Sequence, residues 1–202
     1  MEIPPPSVPA ELLADWRQTD RTVDSPFSTP VVSAHTHTVV YEESTQRERI
    51  FEQCGVDHPW KFFFASRLAL EPPQSPNRLL SSLIRKRVSS AFVERLADRG
   101  LDKIEKEAST SVPLGGSTGH RFRYSARLDL DSTHSDCGER LRLPIEAYLV
   151  VWTDDGYRLA GGAYPGRPKR GPPELVAALT DTIEPTAARE ELLALIAGCV
   201  ES

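Results

Sequence analysis

In the stretch "SAHTHTVVYEES", residues 33–44, His35 and His37 stand two apart among β-branched residues, and Glu42 follows five positions later. Side chains at i and i+2 of a strand project from one face. A His-x-His pair can therefore offer two imidazoles to zinc, iron or manganese, with a third ligand from a neighbouring strand. The same parity removes Glu42, because an odd separation points its carboxylate to the other face unless a bulge intervenes. His58, His120, His134 and the Cys137 thiol are the other candidates for a third ligand. Histidines alternating with threonines equally suit a plain polar strand face. That plain reading, with no cofactor, is the favoured one; the alternative is a small metal-dependent enzyme holding a divalent transition metal on His35 and His37.

The run His35-Thr36-His37 with Glu42 is similar to the first metal motif of cupin barrels, but the flanking glycines of that motif are absent here. No second half-motif with a later histidine follows. For nucleophilic chemistry there is no Gly-x-Ser-x-Gly elbow. Cys54 and His58 are four apart in "EQCGVDH", yet nearness in sequence does not bring a base onto a thiol. The loop "PLGGSTG" (113–119) precedes a strand and so lacks a helix dipole to aim at a phosphate. "YPGRPKRGPP" (164–173) lacks the spacing of a phosphate loop, and both read as connections.

Cations are the other chemistry on offer. Arg121, Arg123 and Arg127 alternate on one face of a strand, and Arg78, Arg85, Lys86, Arg87, Arg95 and Arg99 crowd the outer side of a helix. Arginine forks match carboxylate and phosphate geometry, so either set could dock an anionic partner. Aromatic residues do not interleave with these arginines on the same face, as a base-stacking surface would require, and an acidic chain of net charge −5 gives no global pull on nucleic acid. An unidentified protein partner is the expectation, with Arg121, Arg123 and Arg127 as its patch.

The elements that must position these residues follow from periodicity. Residues 31–42 and 46–54 read as successive antiparallel strands, and "WKFFFASRLAL" (60–70) as a third, with Trp60, Phe62, Phe64, Leu68 and Leu70 on one face and Lys61 and Arg67 on the other. "EPPQSPN" breaks the sheet. Ser75 as N-cap with Pro76 at the first helical position, then Leu79, Leu80, Leu83, Ile84, Val88, Ala91, Phe92 and Leu96 at helical spacing, predict a helix ending at Gly100. A strand near 104–113 and one over 120–130, with a dry face of Phe122, Tyr124, Ala126 and Leu128, lead to the more continuously apolar 141–153. "DDG" then turns that strand into 157–165. Two helices close the chain, the second with Thr186 as cap. The sum is an α+β sandwich: an antiparallel sheet of about six or seven strands, a long mid-chain helix and C-terminal helices packed on it.

With 202 residues the chain has room for a single domain, taken as 31–202, preceded by a proline-rich, partly ordered arm over 1–30 in which only residues 10–16 could make a helical turn. Three widely spaced cysteines supply neither a disulfide framework nor a Cys-x-x-Cys motif. Without a signal peptide or an apolar run of membrane length, the cytoplasm is the expected compartment. Arginines outnumber lysines nineteen to five, which points to a GC-rich genome.

The closing hairpin "EAYLVVWTDDGYRLAGGAYP", followed by a basic loop and a helix, resembles the closing segment of proteins with the Mog1/PsbP-like fold. It is also similar to a group of uncharacterised haloarchaeal proteins with the same "AGG-Y-P" strand end. The resemblance implies a scaffold whose known members mostly act by binding, one to a small GTPase and another to a photosynthetic membrane complex, and it carries over no catalytic residues.

Overall fold

A computed structural model of the protein describes residues 3–28, 33–75, 77–131, 140–154 and 156–201. Pro30, Val31, Val32, Pro76, His134, Cys137 and Asp155, which enter the sequence expectations, lie outside the described residues. The elements run β1 (Trp16–Ser28), β2 (Ser33–Glu43), α1 (Thr45–Cys54), β3 (Phe62–Glu71), α2 (Arg78–Asp98), β4 (Leu101–Leu114), β5 (Ser117–Asp131), β6 (Arg140–Thr153), β7 (Tyr157–Pro165), α3 (Pro173–Thr182) and α4 (Pro185–Glu201). All seven strands form one antiparallel sheet in the order β1-β2-β3-β7-β6-β5-β4. Two meanders therefore meet where β3 pairs β7, and α2 carries the chain from the middle of the sheet to its far edge. The α+β sandwich expected from the sequence is what forms.

Partners across an antiparallel pair share a face, so the registers sort the sheet into two sides. One side carries Thr38, Ser66, Phe64, Leu159, Leu149 and Phe122, and α2 lies on it. There Phe92 packs between Phe64 and Tyr124, at centroid distances of 5.6 and 5.5 Å. The other side carries His37, Lys61, Phe63, Tyr148 and Arg123, and α4 lies on it against β7 and β3. Strand β7 is buried along its whole length. Its "AGG" has a steric reason. A Cβ on Gly162 would fall 2.1 Å from the Phe62 carbonyl oxygen and 2.8 Å from Leu192 of α4; one on Gly161 would fall 2.9 Å from Phe64.

Four expectations are corrected. Residues 46–54 form α1 and no strand: the Glu43 carboxylate accepts the Gln46 N–H at 3.0 Å to each oxygen, and Gly55 closes the helix at φ 71°. The segment from Trp16 on is no arm, since it pairs with β2 along its length as β1, and the turn inside 10–16 is a short 3-10 helix at Ala10–Leu12. Thr186 is no cap, since it lies inside α4, and the Glu184 carboxylate accepts the Ala187 N–H at 2.7 Å instead. Helix α2 is capped by Asn77, whose side chain accepts from the Leu80 N–H, in place of Ser75. The loop 113–119 contains a two-residue hairpin turn, Gly115-Gly116, both at positive φ, which suits the twist of β4 and β5.

Candidate functional site

His35 and His37 project from one face, as spacing demands, and both rings are fully engaged by the protein. His37 is 3% exposed: its Nδ1 donates to the Ile3 carbonyl at 2.9 Å and its Nε2 accepts from Arg21 Nε at 2.9 Å. His35 Nδ1 lies 2.7 Å from Ser25 Oγ and its Nε2 3.1 Å from Glu71 Oε2. Among the described residues no group of three His, Cys, Asp or Glu side chains could hold a metal ion. His37 therefore fastens the N-terminal segment across β1 and β2, and His35 links β1 to β3. Glu42 lies on the opposite face, where Arg47 and Arg99 hold its carboxylate at 3.2 and 3.0 Å.

The arginine row of β5 splits. Arg127 is neutralised within the fold by Asp102 at 2.7 Å and Asp129 at 2.9 Å. Arg121 and Arg123 face α4, and Arg189 of that helix joins them: the Arg121 and Arg189 guanidinium carbons lie 6.0 and 5.9 Å from the centroid of the Tyr148 ring. None of these three has a carboxylate within salt-bridge distance among the described residues. The anion closest in chemistry, Glu146, is occupied by tyrosines: Tyr164 donates to its Oε2 at 2.7 Å and Tyr148 to the same oxygen at 3.5 Å. Burial, then this bond to a carboxylate, push the Tyr164 hydroxyl well above its ordinary pKa. The Tyr148 and Tyr164 rings stack at 12°, so the cations rest on a stiff aromatic base. Sequence reading missed Tyr148, Tyr164, Glu146 and Arg189. The signal available was Glu146 and Tyr148, two polar positions on one face of an otherwise apolar central strand.

On the other side, α2 does not cover β2. A groove of about 500 Å³ runs between them, with Thr38, Val40, Phe62, Phe64 and Leu159 in its floor and Arg87, Glu94, Arg95, Asp98 and Arg99 along its helix wall. Two smaller polar clusters adjoin the core. Lys61 binds Glu191 at 2.6 Å, and Glu191 also accepts from Trp16 Nε1 at 2.9 Å. Beside them burial raises the Glu43 carboxyl above its usual range. At the charged end of the groove, burial and then the neighbouring Arg47 push His58 down to about 4.

Fold and site together define an α+β antiparallel-sheet domain in which the protein's own groups hold His35 and His37. A family model described as a domain of unknown function, DUF6517, matches residues 5–200, and the chain belongs to that family. No curated protein and no solved structure matches it.

Proposed function

We propose that the protein is a non-catalytic interaction domain that docks an acidic segment of a protein partner on Arg121, Arg123 and Arg189. The observation that carries this reading is the approach of two arginines, Arg121 from a strand and Arg189 from a helix, to the Tyr148 ring, with Arg123 opposite Tyr148 in the strand register and none of the three holding a carboxylate partner among the described residues. Guanidinium groups stacked on aromatics and free at their edges are suited to bidentate carboxylate recognition. On a chain of net charge −5 the patch is a local reversal of sign that would steer an acidic partner to one spot. The resemblance to Mog1/PsbP-like proteins, whose known members mostly bind, points the same way. The reading places the interaction in the cytoplasm; no helix among the described residues is long and apolar enough to cross a membrane.

The test is affinity capture from a lysate of the source organism, with the wild-type chain and an Arg121→Glu/Arg123→Glu variant run in parallel. A partner retained at low salt, released at high salt and missing from the variant is the expected result. Equal retention by both proteins overturns the reading.

A further inference from the structure

We propose that the groove between α2 and β2 binds a second, unrelated ligand: an elongated apolar molecule ending in a single carboxylate, of the acyl-chain type. The volume of about 500 Å³ lies inside the range of small-molecule sites, roughly 300–1,000 Å³. It is too small for a docked helix, whose diameter with side chains is about 10–12 Å. The groove is also long and narrow. Its β2 wall runs from Thr36 to Glu42, about 20 Å at the rise of a strand. Its helix wall runs from Arg87 to Arg99, about 18 Å at the rise of a helix.

Chemistry along that length sets the body of the ligand. The mid-floor is Val40, Phe64, Leu149 and Leu159, and its two hydroxyls, Thr38 and Ser66, bond each other at 2.8 Å. The middle therefore offers apolar surface and no unmet polar demand. The end is different. Arg99 lies over the Phe62 ring at 4.2 Å and gives one nitrogen, Nη1, to Glu42. Its Nε and Nη2 make no hydrogen bond among the described residues, although the side chain is only 29% exposed. A half-buried planar fork fixed on an aromatic with one edge open matches a carboxylate. Arg95, one turn earlier, stands on the same wall, while Glu94 and Asp98 beside it oppose a second negative charge. That balance favours one carboxylate over a phosphate group.

The probes are sodium decanoate and decanol, added to the full chain below the concentration at which either self-associates. Decanoate is expected to raise the thermal midpoint in a concentration-dependent way, with decanol about tenfold weaker, the value of one good charge-assisted contact. Arg99→Met, which keeps an apolar stem over Phe62, should bring decanoate down to the decanol level. Amide spectra of the isotope-labelled wild type should show decanoate shifts along β2 and α2, a readout that needs no variant to fold. No midpoint shift, equal response to the two probes, or spectral changes confined to the α4 side would each overturn the proposal. Arg121→Glu/Arg123→Glu should leave the decanoate response unchanged, so this site and the docking patch succeed or fail separately.

Discussion

The two sides of the sheet solve opposite problems with the same strands. On the α4 side a Cβ at position 162 would strike the Phe62 carbonyl of β3 and Leu192 of the helix, so the packing there is close; Lys61 is paired with Glu191, and Arg121 and Arg189 lie around Tyr148. On the α2 side the helix packs on the central strands through Phe92 and leaves β2 uncovered, so a groove remains. The lesson is that open surface here lies where helices stop covering the sheet. The sheet edges themselves are guarded: β1 and β4 each carry two register shifts, and β4 bears Lys103, Glu105, Lys106 and Glu107.

The largest effect that would sharpen this contrast concerns pH. His58, at the charged end of the groove, is held down to about 4 from an ordinary 6.5 by burial. A base with a depressed folded pKa contributes stability above 6.5 that is lost as pH falls towards 4, here about 3 kcal/mol at most. Denaturant unfolding of wild type and His58→Gln across that window should show the wild type losing stability more steeply on acidification; parallel curves would contradict the burial.

Next in size, Gly162→Ala should cost about 1–3 kcal/mol by overpacking, whereas Val40→Leu, adding one methylene into the groove, should cost less than about 1 kcal/mol. Chemical denaturation of the pair checks it, and equal costs would mean that the two sides are packed alike. His37→Ala should cost about 1–3 kcal/mol, because Ile3 and Arg21 lose their partner. The same variant should open the N-terminal residues to limited proteolysis; an unchanged digestion pattern would show that the imidazole does not hold them. Smallest is Arg127→Gln, where two partly exposed ion pairs are worth about 0–1 kcal/mol.

Much of this fold was legible. A sequence period of two located β2, β3 and β5, the continuous apolar run and the turn after it located β6 and β7, and the spacing of Leu80, Ile84, Phe92 and Leu96 located α2. Residues 46–54 misled because α1 buries only Ile50, leaving no apolar stripe to reveal its period. β1 was hidden by the prolines around it. The site was less legible than the fold. Spacing correctly placed His35 and His37 on one face, but their partners, Ser25, Glu71, Ile3 and Arg21, come from other segments. Asp129, two positions on, is the local sign that Arg127 is neutralised; its second partner Asp102 is 25 residues away in sequence, and nothing local brings Arg189 to Tyr148.

That rearrangement of the arginines is the most exposed part of the account. A titration of a fluorescent acidic peptide against wild type, Arg189→Glu and Arg127→Glu at low salt tests it directly. Arg189→Glu is expected to weaken binding strongly, and Arg127→Glu to leave it near wild type. Loss of binding in Arg127→Glu with none in Arg189→Glu would contradict it.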